Sequence, residues 1–91
     1  MTEQYSLGLD EAQFAKMLFD HVREMSKDVA GVTRQGYGPL ETQVLEYLKS
    51  IGGKLDLDIQ TDLAGNVWMT LPGTDRTLPA FVSGSHADSV P

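Results

Sequence analysis

The first part of the chain places apolar residues at helical spacing. These residues are Phe14, Met17, Leu18, Val22, Met25 and Val29. Asp10 and Gln13 have the spacing of a capping box, in which two side chains satisfy free N–H groups at a helix start. Leu9 and Phe14 have the spacing of a hydrophobic staple across the same helix start. The pattern therefore predicts a first helix over about residues 10–29, with Gly31 as its stop.

A second amphipathic stretch follows a glycine-rich loop at residues 31–38. Pro39 suits the first turn of a helix, where its missing N–H has no partner to lose. One apolar stripe then runs along Leu40, Val44, Leu45, Leu48 and Ile51. Gly52 and Gly53 are expected to end the stripe, which predicts a second helix over about residues 39–51.

Beyond the glycine pair, the apolar period changes from helical to alternating. Apolar and polar residues alternate through Leu55, Asp56, Leu57, Asp58, Ile59 and Gln60. This pattern predicts a half-buried strand over about residues 54–61 with one wet, acidic face. Turn-forming residues at 62–66 separate it from a second predicted strand over about residues 66–71. A third, mostly apolar stretch predicts a strand over about residues 79–85.

The predicted order of elements is helix, helix, strand, strand, strand, which is an α/β arrangement. The third strand is the most apolar, and this favours a buried central position in the sheet. A central strand needs a neighbour on each side, and no further strand follows this one in the 91 residues. We therefore expect an incomplete sheet within residues 1–91.

The composition excludes several classes of function. The chain has no cysteine, which excludes a disulfide framework and a thiolate metal site. Its formal net charge of −6 argues against a nucleic-acid partner, which requires a basic face. No apolar run approaches the length of a membrane span, and the polar, acidic start does not have the pattern of a secretory signal. We therefore expect a cytoplasmic protein without a nucleic-acid or membrane partner.

The strongest candidate for chemistry is the tripeptide His86-Ala87-Asp88, directly after the third predicted strand. In an extended chain, residues two apart point to the same side. The Asp88 carboxylate can then accept from one imidazole nitrogen of His86 while the other nitrogen binds a metal ion. The alternative to metal binding is an ordinary surface turn that contains both residues by chance. The small residues Ser83 to Ser85 before the tripeptide favour the metal-binding interpretation.

Other polar residues favour structural roles. His21 lies on the first predicted helix, where ordinary packing is a better interpretation than metal binding. Arg34 could bind a carboxylate, but a structural role with a nearby acidic partner is favoured. The acidic residues Asp56, Asp58 and Asp62 lack the pattern of a calcium loop and are expected to lie on a solvated strand face.

Four segments in order resemble the amidase, hydantoinase/carbamoylase family of dinuclear metal hydrolases, which are related to aminoacylases and metal-dependent exopeptidases. The segment at 81–91, Phe-Val-Ser-Gly-Ser-His-Ala-Asp-Ser-Val-Pro, resembles the first metal-binding motif of that family. Gly-Val-Thr-Arg at 31–34, Asp-Leu-Ala-Gly-Asn-Val at 62–67 and Leu-Pro-Gly-Thr at 71–74 resemble further segments of the family in the same order. The resemblance covers roughly residues 10–91.

The resemblance implies the opening part of a zinc-exopeptidase-like catalytic domain. It implies hydrolysis of a linear amide or ureido C–N bond, in substrates such as N-carbamoyl amino acids, allantoate or related ureido acids. It also implies two divalent metal ions, zinc or manganese, and a homodimeric full-length protein. His86 would be a metal ligand, and Asp88 would orient it. The family's other metal ligands and its general base have no counterpart in this chain, and its substrate-binding residues stay unknown, so residues 1–91 alone are expected to be inactive.

A second interpretation stays open from the sequence. The chain could be a small, acidic α/β module without catalysis. Its third strand, which lacks a partner, could then recruit another protein by strand addition.

Overall fold

The computed structural model describes residues 10–90 and contains two helices followed by a two-stranded antiparallel sheet. The helices are α1 (Glu11–Ser26) and α2 (Pro39–Lys54), and the strands are β1 (Asp58–Thr61) and β2 (Val67–Thr70). The predicted small α/β arrangement is therefore confirmed. The assignment to a zinc-exopeptidase-like domain stays a prediction. Within the described residues, no helix is long and apolar enough to cross a membrane.

The predicted capping box forms at the start of α1. The Asp10 carboxylate accepts from the Gln13 backbone N–H at 2.8 Å, and the Gln13 side chain accepts from the Asp10 N–H at 3.2 Å. The other half of the predicted staple, Leu9, lies outside the described residues. The two reciprocal bonds satisfy free N–H groups at the helix start and fix where α1 begins.

Helix α1 ends at Ser26, three residues earlier than predicted. Lys27 takes an extended conformation and pairs with Val32 in an antiparallel bridge. The turn between them is closed by Asp28, whose carboxylate accepts from the Gly31 N–H at 2.7 Å. Residues 28–31 therefore form this turn instead of a last turn of α1, because the aspartate side chain favours local hydrogen bonds to the backbone.

Helix α2 continues to Lys54 instead of ending at the glycine pair. A Cβ atom built on Gly52 would lie 2.7 Å from Ile59 Cδ1 and 3.1 Å from Met69 Sδ, whereas nothing lies within 4 Å of one built on Gly53. Gly52 is thus the point at which the sheet approaches the helix. The glycine serves close packing here and does not end the helix.

The core lies between α1, α2 and the sheet. The buried hydrophobic residues among those described are Phe14, Val44 and Ile51, and Val44 is 1% exposed. Leu55, Leu57 and Ile59 are half-buried while the residues between them are exposed, so the predicted alternation holds in the burial pattern. Only residues 58–61 form β1, because Leu57 N–H bonds back to the Gly52 carbonyl at 3.0 Å in a turn after α2.

The strands pair with Ile59 opposite Met69 and Thr61 opposite Val67. The third predicted strand, over residues 79–85, does not form. Phe81 is fully exposed, and this result corrects the prediction of a buried central strand. A strand takes its hydrogen bonds from neighbouring strands, and no described segment pairs with residues 79–85.

Candidate functional site

His86 and Asp88 lie together at the predicted site. The His86 Nδ1 atom is 3.0 Å from the Asp88 carboxylate Oδ1 and 3.0 Å from the Asp88 carbonyl oxygen. When Nδ1 carries the proton, it donates to these oxygens and leaves the Nε2 lone pair available. The side chains are 79% and 51% exposed, respectively, so Nε2 is accessible to an ion from solvent.

The donor chemistry of this pair fits one ligand of a divalent metal site. A neutral imidazole backed by a carboxylate is the usual form of a histidine ligand. The described residues contain no group of three or more His, Cys, Asp or Glu side chains that could hold a metal ion. A catalytic zinc ion takes about three protein ligands. His86 therefore fits as one member of a larger ligand set, and its role as a ligand stays a prediction.

The glycine-rich loop holds the segment that carries this pair. The Arg34 backbone N–H donates to the Ser89 carbonyl at 3.0 Å, and the Ser89 N–H donates to the Arg34 carbonyl at 2.8 Å. The Arg34 Nε–H donates to the Ala87 carbonyl at 2.6 Å, and the Ser89 hydroxyl donates to the Val32 carbonyl at 3.0 Å. Two segments far apart in sequence are thereby joined next to His86.

The favoured structural role of Arg34 agrees with this geometry, but its partner differs from the one expected. Its guanidinium bonds to a backbone carbonyl and not to an acidic side chain. Charge patterning along the sequence cannot reveal a backbone acceptor. The sequence signal for this contact was that Gly-Val-Thr-Arg at 31–34 and the His86 segment both resemble motifs of one family.

The same loop also contacts the turn between the strands. Tyr37, which has a positive φ of 58°, donates its hydroxyl proton to the Ala64 carbonyl at 2.9 Å. Gly65 in that turn has a φ of 90°, a conformation that favours glycine. The loop at 31–38 therefore touches two of the family-like segments, one at each of its ends.

Asp62 organises the turn between the strands. Its carboxylate accepts from Trp68 Nε1 at 3.0 Å and from Asn66 Nδ2 at 3.1 Å, as well as from two backbone N–H groups of the turn. Donation from Trp68, and then from Asn66, lowers the pKa of Asp62 to about 2. Protein donors already surround this carboxylate, so the geometry favours a structural role for Asp62 over a calcium ligand. The expected strand face is corrected, because only Asp58 lies in β1, while Asp56 precedes the strand and Asp62 lies in the turn after it.

His21 packs against a neighbouring ring. It stacks on Tyr47 of α2 with 4.1 Å between the ring centroids and an interplanar angle of 16°. This contact joins the two helices, as expected from the interpretation of ordinary packing.

An open cleft of about 1060 Å³ lies between the helices, β2 and the segment before Asp88. Its lining includes Val22, Leu48 and Met69 from the helices and β2, and Val82, Ser85 and His86 from the segment before Asp88. The imidazole therefore borders a space large enough for a small-molecule substrate, since binding clefts commonly measure ~300–1,000 Å³.

No protein-family model matches the chain, and no solved structure matches it. Three characterised proteins are similar to it. An N-carbamoyl-L-amino-acid amidohydrolase of Paenarthrobacter aurescens is 38% identical over 87 residues, which cover 92% of this chain and 21% of that protein. A ureidoglycolate hydrolase of Oryza sativa subsp. japonica is 36% identical over 63 residues, which cover 69% of this chain and 13% of that protein. A ureidoglycolate hydrolase of Arabidopsis thaliana is 32% identical over 60 residues, or 66% of this chain and 13% of that protein.

The chain thus spans between about one eighth and one fifth of the length of these relatives. The longest match covers most of the chain, and all three relatives are named as hydrolases or amidohydrolases. These matches confirm the resemblance predicted from the motifs and relate the chain to carbamoylase- and amidohydrolase-like proteins.

Proposed function

We propose that the chain is part of an amidohydrolase that cleaves a linear amide or ureido C–N bond. The observation that carries this proposal is the pairing of His86 Nδ1 with the Asp88 carboxylate at 3.0 Å, at the edge of an open cleft. The names of the relatives support the bond type. N-carbamoyl amino acids and small ureido acids are the substrates proposed for the whole protein.

Within this proposal, His86 and Asp88 have separate roles. His86 Nε2 would hold one of two divalent metal ions, zinc or manganese. Asp88 accepts the Nδ1 proton, which fixes the ring orientation and makes Nε2 a better ligand. Such ions would supply Lewis-acid chemistry at the scissile carbonyl and would activate a water for attack. The other ligands and the general base lie outside residues 10–90 in this proposal, so the 91-residue chain alone is expected to be inactive. The whole protein is proposed to be cytoplasmic and homodimeric.

The test compares the two histidines of the chain in the intact gene product. His86→Ala is expected to remove the metal from one site and to abolish most hydrolysis of N-carbamoyl-L-amino acids and ureidoglycolate. Metal content per protomer by mass spectrometry and turnover of these substrates are the measurements. His21→Ala is the control, because His21 stacks on Tyr47 and should leave the metal content unchanged. Full metal content and turnover in His86→Ala would contradict the proposal.

One observation supports a second candidate function. Residues 79–85 are exposed and have no strand partner among the described residues. In a binding module, such a segment could pair with the sheet edge of another protein. A monomeric 91-residue product with a sharp, cooperative melt and no metal dependence would favour the module. A broad melt with strong binding of an apolar dye would favour the hydrolase segment.

A further inference from the structure

Two segments that are more than 50 residues apart meet beside His86. Residues 32–34 and 87–89 are joined by four hydrogen bonds, two between backbone groups and two from side chains to carbonyl oxygens. One of the side-chain donors is the Arg34 guanidinium, whose Nε–H lies 2.6 Å from the Ala87 carbonyl oxygen. Ala87 lies between His86 and Asp88, so this hydrogen bond holds the backbone that connects the two residues.

The exposure of the pair shows why such a bond matters. The imidazole is 79% exposed and the carboxylate is 51% exposed, so packing does little to fix either side chain. The distance between them then depends on their own side-chain torsions and on the backbone torsions around Ala87. A hydrogen bond to the Ala87 carbonyl restricts those torsions, and the charge of the donor makes the bond stronger than a neutral one.

The guanidinium itself is positioned by the fold. Its Nη1 atom is buried and has no hydrogen-bond partner among the described residues. The Arg34 backbone is held by the bridge to Ser89. Part of the head group is therefore buried at the motif, where desolvation strengthens its bond to the carbonyl.

We propose that Arg34 is the positioning residue of the site and that its guanidinium sets the geometry of the His86–Asp88 pair through the Ala87 carbonyl. This inference rests on the proposed role of His86 as a metal ligand. Arg34 lines the same cleft, but its role in this mechanism is to hold the Ala87 carbonyl and not to bind metal or substrate. Its removal should loosen the ligand and weaken metal binding, with an effect on kcat and little effect on KM.

The test uses the intact gene product with Arg34→Ala, Arg34→Lys and the control Arg76→Ala. Arg76 is exposed in a loop and makes no hydrogen bond or ion pair recorded in the described residues. Zinc affinity is measured by chelator competition, and the geometry of the site is followed by the visible spectrum after cobalt loading. We expect roughly 10–100-fold weaker zinc binding in Arg34→Ala, the range typical of groups that orient a metal ligand. We also expect the visible spectrum of cobalt-loaded Arg34→Ala to differ from that of the wild type. Guanidinium chloride at low millimolar concentration should partly restore both the zinc affinity and the spectrum of this variant.

Arg34→Lys keeps the positive charge but lacks the planar Nε–H donor. Its zinc affinity should therefore fall nearly as far as that of Arg34→Ala. If Arg34→Ala fails to fold, Arg34→Lys alone tests the positioning role of Arg34. Wild-type zinc affinity and an unchanged cobalt spectrum in both Arg34 variants, with metal loss in His86→Ala, would overturn the positioning role and leave the proposed function intact. Unchanged metal binding in His86→Ala would overturn both.

Discussion

The two adjacent glycines near the end of α2 offer a matched test of how the sheet packs on the helix. Alanine at position 52 would place its Cβ 2.7 Å from Ile59 Cδ1 and 3.1 Å from Met69 Sδ, whereas alanine at position 53 meets nothing within 4 Å. Both positions lie in the same last turns of one helix. The chemical change is identical, so only the surroundings differ.

The expected free energies follow from these distances. Each alanine gains about 0.5–1 kcal/mol in the helix, because glycine loses more conformational freedom on folding. At position 52, the apolar neighbours must retreat from well inside the ordinary contact distance of ~3.5–4.0 Å. Such overpacking costs about 1–3 kcal/mol, and the terminal atoms of Ile59 and Met69 can move, which favours the lower half of that range. Gly53→Ala should therefore stabilise the chain, and Gly52→Ala should leave it about 1–2 kcal/mol less stable than Gly53→Ala.

Hydrogen exchange of the α2 amides in the 91-residue chain measures this difference, because it reports the local free energy of opening without a cooperative melt. The helix propensity gain cancels between the two variants, so their difference isolates the packing contact. Equal protection in Gly52→Ala and Gly53→Ala would show that the sheet does not approach the helix at Gly52. Greater protection in Gly52→Ala would refute the packing argument outright.

Two further predictions concern single carboxylates. Asp88→Asn in the intact gene product should lower metal affinity about 10–100-fold, because the amide accepts the Nδ1 proton more weakly, and equilibrium dialysis should show less metal loss than in His86→Ala; an unchanged affinity would refute the orienting role. The Asp62 carboxyl has its pKa lowered from 3.8 to about 2, so its bonds stabilise the fold fully above pH 3.8, and this contribution is lost as the pH falls toward 2. The fluorescence of Trp68 should change over that acid range in the wild type, and in Asp62→Asn the same transition should be absent; its persistence there would show that another group causes it.

The local elements were predictable because their signals lie within a few residues. The capping box of Asp10 and Gln13, the proline at the start of α2 and the turn at residues 62–66 each depend on neighbours in sequence. Their ends were less predictable. Helix α2 passes through Gly52 because the sheet needs a small residue at that point, and this requirement comes from Ile59 and Met69. The sequence alone does not distinguish a glycine pair that ends a helix from one that allows a neighbouring element to pack closely.

The third strand shows a different limit. The apolar composition of residues 79–85 indicated a buried strand, but composition reports only that burial would be favourable. A strand also needs a partner for its N–H and C=O groups, and no described residue provides one. Phe81 and Val82 therefore remain exposed in the structure.

The pairing of His86 with Asp88 forms although the strand expected to present it does not. The two residues are two apart, so a short local bond brings them together. The segment that carries them is held by Arg34 and Val32 through hydrogen bonds that do not require a sheet. Local spacing was therefore sufficient to find the pair, while the hydrogen bonds by which the loop at 31–38 supports it are visible only in the fold. If the His86–Asp88 geometry depended on a strand at residues 79–85, the two side chains would be separated in this structure, which lacks that strand. Nδ1 of His86 nevertheless lies 3.0 Å from Oδ1 of Asp88, so the pairing does not depend on the strand.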